Sequence, residues 1–123
     1  VAHIINGLPG EDEKMMLETI DYLNTLDIQG IKIHMLYIIK NTPLEIYYKV
    51  NPFHVLSLEE YVDITIKQLK RLRADIIIHR ITGDPPKDLL IEPSWTLKKF
   101  VVSNEIDKAM RKNNDYQGDT YHE

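Results

Sequence analysis

Cysteine is absent from all 123 residues, which removes disulfides and thiolate-held metals from this chain. Long apolar runs are absent as well; no stretch nears the ~20 residues that a membrane-spanning helix needs. The N-terminal residues carry no signal-peptide pattern, because a charged helical segment follows the first strand at once. Charge of one sign is not in excess. A net charge of −4 with an apolar fraction of 43% excludes a disordered chain and a general nucleic-acid binder. What these absences leave is one domain that buries roughly two-thirds of its unfolded surface. The cytoplasm is the expected compartment.

Local chemistry predicts an alternating α/β order. Val1 to Asn6 reads as a strand buried on both faces. Gly7-Leu8-Pro9-Gly10 is a turn, with glycines free to take positive φ. Glu11 to Leu26 places Met16, Ile20, Leu23 and Leu26 near helical spacing, and Gly30 punctuates the passage into a second strand, Ile31 to Ile39. Thr42-Pro43-Leu44-Glu45 is a capping box with proline at the first helical position, and Asn51-Pro52 stops that short helix. Ser57-Leu58-Glu59-Glu60 opens a longer helix with Leu58, Val62, Ile66, Leu69 and Leu72 inward. Ala74 to Ile81 is the third strand. Ser94 is the expected cap of a last helix ending near Lys112, and the polar run from Asn113 to Glu123 is expected to fray.

The fold class is therefore α/β, a β-α-β-α-β-α order whose near-continuous apolar strands imply a parallel sheet with right-handed crossovers. Three parallel strands leave two apolar edges unpaired, and the chain opens inside a strand. Both features are expected of a fragment, and the bare edges of a possible edge-mediated homodimer.

Ligands of parallel α/β folds bind at the carboxyl ends of the strands, which selects Asn6 to Glu11, Lys32 and His34, and His79-Arg80 with Thr82-Gly83-Asp84. Gly7 to Gly10 has the form of an anion cradle. Glu11, Asp12 and Glu13 in the first helical turn would repel a phosphate, and no Walker lysine is present. A neutral or cationic ligand suits the turn better; a tight strand-helix turn with a dipole-matched start is the simpler alternative. Lys32 and His34, two apart, share one face. That face opens on a ligand, a carboxylate or water, as a barrel lumen would, unless Lys32 reaches solvent from the start of its strand. His79 and Arg80 alternate, so only one is expected to face the site. His3, His34, His54, His79 and His122 show no metal-ligand spacing. The basic stretches KQLKRLR and KK…K…RK read as solvated helix faces, and no Ser-His-Asp constellation names a catalytic residue.

The ordered series IINGLPGE, GIKIHMLYIIKNTPLEIYY, SLEEYVDITIKQLKRL, IIIHRITGDPP, LIEPSWTLKKFVVSNEID and YQG resembles the radical S-adenosylmethionine superfamily. It is most similar to the C-terminal half of bacterial iron-sulfur proteins related to the elongator catalytic subunit. The resemblance implies the last part of a partial (β/α)₆ TIM-like barrel with a C-terminal helical extension. In such proteins a C-x₃-C-x₂-C motif holds a [4Fe-4S] cluster that cleaves S-adenosylmethionine reductively to a 5′-deoxyadenosyl radical. It further implies last barrel strands in 1–40, an extension over 41–112 and a polar tail over 113–123. The cofactor-binding positions it implies are Ile5, Asn6, Gly7, Leu8, Pro9, Gly10 and Glu11, with Lys32 and His34 lining the lumen. Without cysteine this chain is expected to be inactive alone. Relatives near the elongator subunit act on transfer RNA, which makes that the implied substrate class. A free-standing α/β binding module is the alternative, and a phosphate-binding domain a weaker third.

Overall fold

Strand β1, Ala2–Asn6, runs parallel to β2, Gly30–Met35, with Ala2 beside Ile31 and Asn6 beside Met35. β2 in turn pairs in parallel with a later strand, Ile77–Arg80, so the sheet order follows the chain. This is a computed structural model, and it describes residues 1–121. The parallel sheet expected from the apolar strand pattern is present, and no closed barrel forms among the described residues.

The helices start where side-chain chemistry lets them. Asp12 caps α1, Glu13–Asn24, by accepting the Met15 amide at 2.9 Å. After β2 the chain breaks at Leu36-Tyr37, and a short β3, Ile38–Ile39, follows. Thr42 caps α2, Pro43–Val50, whose residues are none of them fully buried. The Glu45 carboxylate accepts from the Asn41 amide at 3.3 Å, one residue before the cap, so this box is only half closed. Ser57 and Glu60 form a full capping box on α3, Leu58–Arg71. The Ser57 amide first, and His54 next, hold the Glu60 carboxyl below its usual range. The strand Ile77–Arg80 is β4; Leu90–Glu92 is β5; a 3₁₀ turn, Ser94–Leu97, leads to α4, Lys99–Lys112.

Helices α1 and α3 cover one face of the sheet. Ile20 and Leu23 from α1 meet Tyr61, Leu69 and Leu72 from α3 and its C-cap over Ile4, Ile31, Ile33 and Met35. Val102 and Ile106 bring α4 into the same cluster. Each such side chain contributes on the order of 1.5–3 kcal/mol on leaving water. At the rim, Arg71 grips Asp21 through two parallel bonds of 2.6 and 2.8 Å, tying α3 to α1.

Four expectations change. The strand drawn from Ile31 to Ile39 is two strands, because β3 leaves the parallel sheet to pair antiparallel with β5. β1 is buried on one face only, with His3 and Ile5 exposed. Ser94 does not cap α4; it begins the 3₁₀ turn, and the helix starts anew after Lys98 without a side-chain cap. The tail through Tyr121 does not fray. Gln117 donates to the carbonyls of Arg73 and Ile76 at 2.7 Å each, and the Gly118 and Thr120 amides bond the Leu69 and Lys70 carbonyls. His122 and Glu123 lie outside the described residues.

Candidate functional site

At the carboxyl end of β1 the chain must reverse within a few residues to enter α1. Gly7 and Gly10 do this at φ +97° and +82°, where side chains are rarely accommodated. The Glu11 amide closes the turn onto the Leu8 carbonyl at 3.1 Å. Gly7 is buried, and a Cβ there would stand 3.2 Å from Leu56 Cδ1, whereas a Cβ at Gly10 would meet nothing within 4 Å. Gly7→Ala is therefore expected to cost about 1–3 kcal/mol, from backbone strain with a contact the Leu56 side chain must relieve. Gly10→Ala bears the strain alone and should cost less. Denaturant midpoints of the two variants check the order.

The acidic residues do not all occupy the first helical turn. Glu13 does; Asp12 is the cap, and Glu11 belongs to the preceding turn. Together with Glu60, His54 and Leu56 they line a cleft of about 230 Å³ beside the turn. Ile5 and Leu8 are 44% and 39% exposed, so the turn presents apolar surface next to carboxylates. Pro9 follows Leu8 and is half-buried. Asn6 points the other way. Its side-chain amide exchanges bonds of 2.7 and 2.8 Å with Gln68 inside the core, and its carbonyl accepts the Leu36 amide at 2.9 Å.

The second part of the site is the sheet face that the helices leave bare. Lys32 and His34 share it as their spacing predicts, both half-buried. Strand register places His3 beside Lys32 and Ile5 beside His34 on the β1 side. On the other side Arg80 pairs with Lys32, after a bulge in which the register shifts between Ile31 and Lys32. That bulge corrects the expectation that only one of His79 and Arg80 could face the site. Ile78 and Ile81 pack against the core, and both residues between them turn outward. His79 lies over Gly30, whose absent side chain leaves it room: a Cβ there would fall 2.3 Å from His79 Nε2. The His3 and His34 rings stack with centroids 5.9 Å apart. Partial burial first, then the charges of His3, Arg80 and Lys32, hold the His34 imidazole below its usual range.

His3 escapes sequence reasoning because its neighbour is fixed by strand register, which a single chain does not display. No cluster of three or more His, Asp or Glu side chains converges as a metal site among the described residues.

The profile described as Radical_SAM C-terminal domain matches residues 28–112. The chain is 44% identical over 117 residues to YtqA of Bacillus subtilis, covering 95% of this chain and 36% of that protein. It is 32% identical over 118 residues to MJ0486 of Methanocaldococcus jannaschii, covering 95% of this chain and 37% of that protein. YhcC of Escherichia coli K12 is 26% identical over 109 residues, covering 89% and 35%. The chain thus spans little more than a third of the curated relatives it matches. Among solved structures, the archaeal Methanocaldococcus infernus Elp3 with an N-terminal deletion (1-46) superposes with a TM-score of 0.78 at 18% identity. That match covers 95% of this chain and 28% of that one, and at such identity it shows a shared fold alone.

Proposed function

The chain belongs to the radical SAM C-terminal domain family, and on that premise we propose that it is the C-terminal part of a radical S-adenosylmethionine enzyme. The open sheet face carries this reading. Three neighbouring parallel strands with helices on one side and a bare, partly apolar, partly basic surface on the other have the form of a barrel wall. On this reading 1–40 supply the last barrel strands and 41–112 the C-terminal extension, which shares the sheet through β4. The polar tail is 113–123.

The residues present do not fit the iron-sulfur cluster. The chain has no cysteine, so the three thiolates must come from elsewhere in the parent. They do fit S-adenosylmethionine. Its sulfonium is cationic and it carries no phosphate, which suits the carboxylates at the turn. Ile5 and Leu8 offer apolar surface for its adenosine, and open space around Gly10 lets the turn's backbone approach there. Asn6 holds the turn in place from the core, Glu11 borders the cleft, and Lys32 and His34 face the lumen. When both groups are bound, they supply reductive cleavage of S-adenosylmethionine, an oxidoreductase chemistry; the part of this chain is to bind, orient and exclude water.

No helix among the described residues is long and apolar enough to cross a membrane, and we place the parent in the cytoplasm. Transfer RNA is the substrate class that the likeness to elongator-type proteins brings forward. The free edges of β1 and β4 would let the isolated chain pair as a homodimer.

The test is to express the parent reading frame that joins this segment to a C-x₃-C-x₂-C motif. After anaerobic reconstitution it should release 5′-deoxyadenosine and methionine under reduction, while this chain alone should release neither. Cleavage by the chain alone, or none by the reconstituted parent, overturns the proposal and leaves a binding module.

A further inference from the structure

Across the bare face runs a row of three basic residues, one per strand: His3 on β1, Lys32 on β2 and Arg80 on β4, each beside the next in register. His34 stacks on His3, and His79 sits over Gly30 one step along. Adjacent strands lie about 4.8 Å apart, so Lys32 and Arg80 project from neighbouring backbones onto the same surface. Among the described residues no carboxylate pairs with either cation; Asp and Glu partners go instead to lysines and arginines elsewhere. Like charges side by side across strands are destabilising, and the bulge at His79-Arg80 adds to the crowding by turning both residues outward. Two permanent cations set side by side, without a carboxylate between them, make a surface that attracts an anion.

We propose that the Lys32-Arg80 pair, with His3, His34 and His79 around it, binds a phosphate monoester of a substrate, such as the terminal phosphate of a nucleic acid, and not the singly charged phosphodiesters of a nucleic-acid backbone. Two permanent charges match a dianion, and a phosphate monoester carries about −1.5 to −2 at neutral pH. A carboxylate would leave one cation unmatched. Arginine offers a planar fork of donors and lysine a point charge, the two complementing each other around a tetrahedral oxyanion. The acidic turn repels phosphate and the basic row attracts it, so the two ends of the site sort a cationic cofactor from an anionic substrate. This inference rests on the proposed function for its placement in the lumen, while the anion site itself can be read without any cleavage chemistry.

The experiment is a proton NMR titration of the histidine ring signals of this 123-residue chain, with inorganic phosphate added at constant ionic strength. His54, which pairs with Glu60 at the start of α3 beside the acidic turn and not on the basic row, serves as internal reference. Phosphate is expected to raise the His34 titration midpoint by roughly half a unit, since a bound anion favours the protonated ring. The ring signals of His3 and His79 should move on phosphate addition, and those of His54 should stay in place. Lys32→Gln/Arg80→Gln should abolish the phosphate response without lowering the thermal midpoint, and Lys32→Arg/Arg80→Lys should retain it. No shift with phosphate, an equal shift with acetate, or a response that survives the double glutamine variant each overturns the inference. A silent titration beside an active reconstituted parent sinks the anion site alone. A clear phosphate response beside an inactive parent sinks only the enzyme reading.

Discussion

Tyr61→Ala is expected to remove about 3–5 kcal/mol of stability, as truncation of a large buried aromatic does. A domain of this size holds only about 5–15 kcal/mol in all, so much of the variant should be unfolded at modest denaturant. The side chain is fully buried. Its ring packs on Trp95 with centroids 5.3 Å apart, and its hydroxyl donates to the Ile81 carbonyl at 2.6 Å. One residue of α3 thereby joins the end of β4 to the 3₁₀ turn. Burial pushes the Tyr61 phenol well above its usual range, so it stays a neutral donor at any working pH. Tyr61→Phe separates the two contributions. It keeps the packing but leaves the Ile81 carbonyl unpaired, for about 1–3 kcal/mol. Urea unfolding of both variants is the measurement. A phenylalanine variant as unstable as the alanine one would mean that the hydroxyl, and not the ring, carries the site. The consequence reaches function through position: Arg80 immediately precedes Ile81, so loosening that carbonyl should also weaken the phosphate response of the basic row.

The parts of this fold that were legible in the sequence are those decided by neighbours in the chain. Ser57 and Glu60 cap α3 through contacts three residues apart, and Asp12, Thr42 and Pro43 mark two other helix starts in the same local way. The alternation of Ile31, Ile33 and Met35 with Lys32 and His34 puts those two polar residues on one face whatever strand lies beside them. Where sequence reasoning went astray, a distant partner decided the outcome. Ile38 and Ile39 look like a continuation of β2, yet β5, some fifty residues on, draws them into a second sheet. The tail is polar and lacks an apolar anchor, but Gln117 satisfies two carbonyls at the entry to β4. The bulge at His79-Arg80 is a mismatch of register between two strands, and neither strand alone encodes it. Arg80 reaches Lys32 through that bulge and His3 through the β1–β2 register, and spacing within one strand displays neither.

Replacing Asn6 or Gln68 singly should be far worse than replacing both. The two amides are almost fully buried, at 2% and 0% exposure, and each donates to the other at 2.7 and 2.8 Å. Gln68 also reaches the Met16 carbonyl at 3.3 Å, so the pair fastens β1, α1 and α3 at one point. Asn6→Leu strands the Gln68 oxygen and part of its amine without water, and Gln68→Met strands the corresponding atoms of Asn6. Each single variant is expected to lose on the order of 3 kcal/mol, about 1–3 for each orphaned group. In Asn6→Leu/Gln68→Met no side-chain amide remains to orphan, and apolar groups of similar volume fill the space. The double variant should recover most of the loss, giving a coupling energy of about 2 kcal/mol or more in a denaturation cycle. Additive losses would mean that the amides act separately and that packing alone sets the cost. Recovery of stability need not restore the site. Asn6 immediately precedes Gly7, so the amide pair sets where the glycine turn leaves β1 relative to α3, and leucine and methionine can slide where paired amides cannot. On the proposed function, the double variant of the reconstituted parent is expected to bind S-adenosylmethionine more weakly at near-native stability, which equilibrium dialysis against the wild-type parent would measure.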